Sequence, residues 1–93
     1  MLVDIECQVK DGLRPQEATV MIKDYHGEKH FMPLDRGLLE AEGGKHYVSV
    51  FLIQIDPRSK AALVNLPIEA DSGAHRIWVR LKDIKDLPEG VGA

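Results

Sequence analysis

The stretch KHYVSVFLIQI, residues 45–55, is rich in β-branched and aromatic residues and is apolar on both faces. Strands with this composition lie where both faces of a sheet are covered. The turn-forming residues Asp56-Pro57-Arg58-Ser59 follow at once. The stretch therefore predicts the most buried strand of a β fold.

The residues before this stretch predict three further strands. Val3, Ile5, Cys7 and Val9 alternate with charged or polar residues, which is typical of a half-buried strand. Residues 18–23 alternate in the same way and lead through His26-Gly27 into residues 28–32, as a hairpin would. Because proline cannot donate to a sheet ladder, Pro33 is expected to close the third strand or lead into the next segment. Residues 34–42 are expected to form a turn or one helical turn, with leucines plugging the core.

Two more strands are predicted after the central one. Residues 60–66 form a short run that stops at Pro67, and residues 69–75 form a polar loop. Residues 76–82 then alternate, which places Ile77, Val79 and Leu81 on one face. The opposite face carries Arg76, Trp78, Arg80 and Lys82.

Together these elements predict an all-β fold, a small antiparallel SH3-like barrel or roll of five to six strands with at most one short helical turn. An OB-fold is less favoured, because it usually places a longer helix between its third and fourth strands. A length of 93 residues fits one domain, which we expect to span residues 1–86. Residues 87–93, with Pro88, Gly90 and Gly92, are expected to form a flexible C-terminal tail.

Charge and cysteine content exclude several classes of protein. The formal net charge of −3 provides no overall positive field, which disfavours nucleic acid and anionic membranes as partners. The single cysteine, Cys7, cannot form an internal disulfide and is expected to be a buried small hydrophobe. No apolar run reaches the length of a membrane span or signal segment, so a soluble cytoplasmic protein is expected.

The stretch LPIEADSGAHRIWV, residues 66–79, resembles small uncharacterised bacterial proteins that share the pattern E-A-D-S-G-x-x-R-x-W-V. The resemblance also includes the DGLRP stretch of residues 11–15 and residues 17–20. It implies membership of a bacterial family and brings no activity, cofactor or catalytic residue with it.

The face formed by Arg76, Trp78, Arg80 and Lys82 is the strongest candidate binding site. An exposed aromatic ring between cations is typical of barrels that bind a protein or an acidic or proline-rich peptide. The same aromatic ring could stack on a base, and the same cations could contact phosphates, of a single-stranded nucleic acid. In the alternative without a binding function, Trp78 packs over the barrel end and the cations pair with Glu69, Asp71 and Asp83.

Neither metal binding nor catalysis is predicted. The four histidines and Cys7 lack the spacing of a zinc site. Residues Glu69, Asp71, Ser72 and His75 contain acid, base and nucleophile types in one loop, but Asp-Ser-Gly is also ordinary turn chemistry. We therefore expect a non-catalytic interaction module with no metal or cofactor, and single-stranded nucleic-acid binding is the alternative.

The central strand also raises the question of a second subunit. Tyr47, Phe51, Ile53 and Ile55 are expected on one face, and His46, Val48, Val50 and Leu52 on the other. An apolar outer face must be covered by the Leu38-Leu39 turn, by the terminal segment or by another subunit. A homodimer is thus one of three expected arrangements.

Overall fold

The computed structural model describes residues 1–85 and Leu87, which fold as an antiparallel β structure with two isolated 3-10 turns, at Arg36–Leu38 and Leu81–Asp83. The strands are β1 Leu2–Asp11, β2 Glu17–Lys23, β3 Lys29–Asp35, β4 Leu39–Glu42, β5 Lys45–Asp56, β6 Ala61–Asn65, β7 Arg76–Arg80 and β8 Ile84–Lys85. No helix among these residues is long and apolar enough to span a membrane. The expected all-β class is confirmed. The expected tail, residues 87–93, lies outside the described residues except for Leu87.

One continuous sheet in the order β3-β2-β1-β5-β6-β7 curls into a half-barrel. The long strand β1 joins its two halves, because residues 8–11 pair with β2 while residues 2–7 pair with β5. The short strands β4 and β8 add to β5 and β1. Hydrogen bonds from Tyr25 N–H to Trp78 O, at 2.7 Å, and from Asp71 N–H to Phe31 O, at 2.8 Å, connect the β2–β3 hairpin to the other end of the chain.

The core lies on the concave side of this sheet. Alternation turns every second residue of β1, β2 and β7 inward, as the sequence predicts. The inward residues are Val3, Ile5 and Cys7, then Ala18, Val20 and Ile22, and finally Ile77 and Val79. This register leaves Arg76, Trp78 and Arg80 on the convex outer face.

Strand β5 is less buried than its composition predicts. Val48 and Val50 are buried, whereas Phe51 is 51% exposed and Ile53 is 39% exposed. A β-bulge at Ile53 shifts the pairing, so that Leu52 faces Val64 and Gln54 faces Leu63. The extra residue reverses the alternation, which turns Ile55 inward against the core. The expected grouping of Ile55 with Phe51 and Ile53 is therefore wrong.

Three boundary predictions are also corrected. Strand β3 continues through Pro33 to Asp35, because it is the edge of the sheet and an edge strand can spare one backbone donor. Leu38 is 56% exposed in its 3-10 turn and does not plug the core, whereas Leu39 packs against it. The last predicted strand ends at Arg80, so Lys82 lies in a 3-10 turn instead of on the strand face.

Candidate functional site

The tip of the β2–β3 hairpin is shaped by Asp24. Its Oδ1 accepts hydrogen bonds from the backbone N–H groups of His26 and Glu28, each at 2.9 Å. Asp24 N–H donates to Glu28 O at 2.8 Å, and Gly27 takes the left-handed conformation with φ of 86°. The connection is thus a three-residue loop, Tyr25-His26-Gly27, in place of the expected two-residue turn. This loop presents Tyr25 to the rest of the barrel.

Tyr25 connects the hairpin tip to β7 and to the β5–β6 turn by hydrogen bonds. Its N–H donates to Trp78 O on β7, and its hydroxyl donates to Ser59 O at 3.0 Å in the turn before β6. The ring of His26 meets that of Tyr25 edge-on, with 5.5 Å between ring centroids. The half-buried Tyr25 ring therefore stands between β7 and the β5–β6 turn.

The β5–β6 turn is held in an unusual conformation. Asp56 accepts hydrogen bonds from the N–H of Arg58 at 3.1 Å and from the hydroxyl of Ser59 at 2.7 Å. The bond from Ser59 lowers the pKa of Asp56 below its usual value. Lys60 has φ of 55°, a left-handed conformation that is costly for a residue with a Cβ atom. Its carbonyl oxygen accepts a hydrogen bond from Leu81 N–H at 3.0 Å.

Two clefts open beside Tyr25, and we call this pair the Tyr25 clefts. The smaller one has a volume of about 230 Å³ and is lined by Tyr25, His26, Asp56, Ser59, Ala61 and Trp78. The larger one has a volume of about 400 Å³ and is lined by Tyr25, Ser59, Lys60, Arg80, Leu81 and Lys82. The larger cleft thus combines an apolar floor with three cationic side chains.

The four predicted site residues do not all line the same cleft. Trp78 lines the smaller Tyr25 cleft, and Arg80 and Lys82 line the larger one. Arg76 does not line either cleft, and its Nε donates to Asn65 Oδ1 at 3.0 Å. Arg80 is 3.3 Å from Asp83 Oδ2, the expected partner, while keeping 41% of its side chain exposed.

Sequence reasoning missed Tyr25, Ser59 and Lys60 as part of this site. Ser59 was placed correctly in a turn, but a turn signal does not say which distant element the turn meets. Tyr25 directly precedes the expected His26-Gly27 turn, and nothing in that pattern marks its ring as part of a site. The hydrogen bond between Tyr25 and Trp78 joins residues that are far apart in the chain, and neither residue type predicts it.

A second polar cluster surrounds His30, which is only 5% exposed on the concave face of β3. His30 Nε2 is 2.8 Å from Asp24 Oδ2, and Nδ1 is 2.7 Å from the Oγ of Ser72. Ser72 is exposed in the loop between β6 and β7. Glu69, Asp71 and His75, which the sequence groups with Ser72, stay exposed, and none of them is hydrogen-bonded to His30.

The His30 cluster also contains residue types that bind metals. Ligand atoms of Asp24, Glu28 and His30 lie within 4.8 Å of one another. Both ring nitrogens of His30 are already hydrogen-bonded, so these interactions satisfy the ring without an ion. The cluster as it stands therefore works as a hydrogen-bonded chain from Asp24 to Ser72.

Cys7 behaves as the sequence predicts. It is 7% exposed among the core residues of β1. Burial, with a smaller contribution from the charge of Glu6, raises the pKa of the thiol to about 11. A thiol with this pKa is a poor nucleophile near neutral pH.

Comparison of the chain with models of known families, with curated proteins and with solved structures gave no match. The Tyr25 clefts and the His30 cluster are therefore the features from which function is inferred. The larger cleft offers apolar and cationic side chains, which suit a ligand that is both anionic and partly apolar. The His30 cluster can move a proton between an exposed hydroxyl and a buried imidazole.

Proposed function

We propose that this chain is a non-catalytic interaction module that binds an acidic peptide segment of a partner protein in the Tyr25 clefts. The observation that carries the proposal is the larger cleft, where Tyr25 and Leu81 provide apolar surface beside Lys60, Arg80 and Lys82. An aliphatic side chain can fill the cleft while neighbouring carboxylates meet the cations. Binding needs both features, so the ligand must be acidic and apolar at once.

The fixed position of Tyr25 supports this proposal. Its backbone N–H and its hydroxyl are both hydrogen-bonded, to Trp78 and to Ser59, so the ring is ordered before any ligand arrives. A preformed site avoids the entropic cost of ordering side chains on binding. The left-handed Lys60 supports the proposal as well, because strained residues cluster at functional sites.

The half-barrel itself fits a peptide-binding role. We propose that it is SH3-like, a class in which extended peptides lie in grooves lined by aromatic side chains. Here the aromatic walls are Tyr25 and Trp78, which line the smaller cleft together. A peptide that crosses Tyr25 would contact both clefts.

Single-stranded nucleic acid is the competing ligand. The cations of the larger cleft suit phosphates, and Trp78 could stack a base. Asp56 opposes this, because a base stacked on Trp78 would bring its phosphates next to a carboxylate in the smaller cleft, whereas the acidic side chains of a peptide can stay beside the cations of the larger cleft.

A fluorescence titration with a short labelled peptide of alternating Glu and Leu tests the proposal. The matched control peptide has Gln in place of every Glu. We expect saturable binding of the acidic peptide and at least tenfold weaker binding of the control, about 1.4 kcal/mol. Lys82→Gln should weaken binding about threefold to fivefold, whereas Lys10→Gln, which removes an exposed lysine of β1, should not.

The same titration with an oligo(dT) strand decides between the two ligand classes. Tighter binding of the oligonucleotide than of the peptide, abolished by Trp78→Ala, would replace the proposal with nucleic-acid binding. Equal affinity for the acidic and control peptides would exclude the cationic cleft as the binding site.

A further inference from the structure

The three serines of the chain sit in different hydrogen-bonded environments. Ser49 Oγ donates to Asp4 Oδ1, and Ser59 Oγ donates to Asp56 Oδ2, each at 2.7 Å. Ser72 Oγ instead lies 2.7 Å from the imidazole Nδ1 of His30. Among these serines, Ser72 is thus the one whose hydroxyl is joined to an imidazole base.

Asp24 determines which ring nitrogen of a neutral His30 carries the proton. An ionised carboxylate can only accept hydrogen bonds, so the 2.8 Å contact with Asp24 Oδ2 places the proton on Nε2. The lone pair of Nδ1 is then free to accept. The hydroxyl of Ser72 must therefore donate its proton to Nδ1. The nucleophile of a serine–histidine–aspartate triad also donates to an imidazole nitrogen, although there the serine meets Nε2 and the aspartate meets Nδ1.

Burial strengthens this chain of hydrogen bonds. The side chains of His30 and Asp24 are 7% and 12% exposed, so little water competes for their polar atoms. Ser72 is exposed at the other end. A reagent in solution can therefore approach the Ser72 side chain while the base behind it stays protected.

We propose that Ser72 is a reactive nucleophile that accepts an acyl group from an activated ester. The Ser72 Oγ forms a bond to the carbonyl carbon while its proton passes to His30 Nδ1. The bond from the carbonyl carbon to the leaving oxygen breaks, and His30 returns the proton to that oxygen. The products are O-acyl-Ser72 and the free alcohol, with no oxidant or reductant required.

The loop around Ser72 favours one acylation over repeated turnover. The backbone N–H groups of Ala70, Asp71 and Gly73 donate to carbonyl oxygens of Ala74, Phe31 and Ala70, each at 2.8 Å. These donors are therefore occupied, and they stabilise neither the oxyanion formed in acylation nor the one formed in hydrolysis. An activated ester can acylate Ser72 without this help because its leaving oxygen is stable as an anion, whereas the serine ester that results has a poor leaving group. We expect the acyl group to remain on Ser72, which is compatible with a non-catalytic module.

Treatment with p-nitrophenyl acetate tests the proposal. Mass spectrometry of the intact protein and of its peptides locates the acetyl groups, and hydroxylamine separates serine esters from lysine amides. We expect a hydroxylamine-sensitive acetyl group on Ser72, formed about a hundredfold faster than on Ser49 or Ser59. Equal rates at the three serines, or no ester at Ser72, would overturn the proposal.

Variants separate reactivity from structure. Ser72→Ala should remove the ester, and Ser49→Ala, which removes an exposed serine outside the Tyr25 clefts, should leave it. Asp24→Asn tests the positioning role of Asp24, because an amide N–H can donate to Nε2 and move the ring proton to Nδ1. The ¹⁵N chemical shifts of His30 report this change. A changed tautomer with an unchanged acylation rate would contradict the mechanism.

Discussion

His30 Nε2 and Asp24 Oδ2 are 2.8 Å apart, and this pair connects the concave face of β3 to the tip of its own hairpin. The other carboxylate oxygen of Asp24 binds the two backbone N–H groups that shape the loop carrying Tyr25. One aspartate therefore supports both the Tyr25 clefts and the hydrogen-bonded chain that ends at Ser72. Substitution of Asp24 should therefore alter both the Tyr25 clefts and the hydrogen bonds of His30 and Ser72.

Acid should destabilise the protein through Asp24. Burial alone would raise the pKa of Asp24, but hydrogen bonds from His30 and from the N–H groups of Glu28 and His26 outweigh it and hold the pKa below 3.8. A carboxyl group with a lower pKa in the folded state contributes stability above its unfolded pKa, and this stability is lost as the pH falls through the folded pKa. Urea denaturation between about pH 6 and about pH 2 should show a smaller loss for Asp24→Asn than for the wild type. Equal losses would contradict the prediction.

Cys7 should be protected from alkylation in the folded protein. With a pKa of about 11, about one thiol in a thousand is ionised at pH 8, and burial restricts access as well. Iodoacetamide should react at least about a hundredfold faster in guanidinium chloride than under native conditions. Similar rates in the two conditions would show that the N-terminal strand opens readily.

Replacement of Lys60 by glycine should leave the protein more stable than replacement by alanine. Its φ of 55° costs about 1 kcal/mol for any residue with a Cβ atom, and glycine avoids this cost. Lys60→Gly should therefore unfold at a higher urea concentration than Lys60→Ala, with a difference in free energy of about 1 kcal/mol. Both variants lack the cation, so both should bind the acidic peptide more weakly. Equal stability of the two variants would show that the turn relaxes.

Truncation of two neighbouring residues of β5 should lower stability by different amounts. Val50 is 1% exposed and Phe51 is 51% exposed, because they point to opposite faces of the sheet. Val50→Ala should lower the free energy of unfolding by about 2 kcal/mol, and Phe51→Ala by less than about 1 kcal/mol, although it removes the larger side chain. Chemical denaturation measures both values. A greater loss at Phe51 would indicate that another surface covers the outer face.

Alternation of apolar and polar residues was sufficient to predict the faces of β1 and β7. It failed in β5, since a bulge inside a run such as Phe51-Leu52-Ile53 has no distinctive residue to mark it. Pro33 was misjudged because only the strand order shows that β3 lies at an edge. Sequence patterns report local geometry well and strand order poorly.

In the candidate site, too, the local geometry could be predicted from the sequence and the long-range contacts could not. The outward positions of Trp78 and Arg80 come from local alternation, and the structure agrees with them. The contacts from Tyr25 to Trp78 and from His30 to Ser72 depend on how far the sheet curls. No local pattern encodes that curvature, so the Tyr25 clefts could not be predicted, although three of the residues that line them, Trp78, Arg80 and Lys82, were singled out from the sequence.

Because β1 pairs with strands that are synthesised much later, the protein can complete its sheet only late in synthesis. Leu2 pairs with Phe51 and Ile5 with Ile84, so β1 leaves the ribosome long before two of the strands that flank it. Only the β1–β2–β3 meander can assemble early. Topologies dominated by such distant pairings fold slowly, over milliseconds to seconds. A nascent chain that stalls before β5 would expose Val3 and Ile5, which makes this interval the one in which the protein is most vulnerable to aggregation.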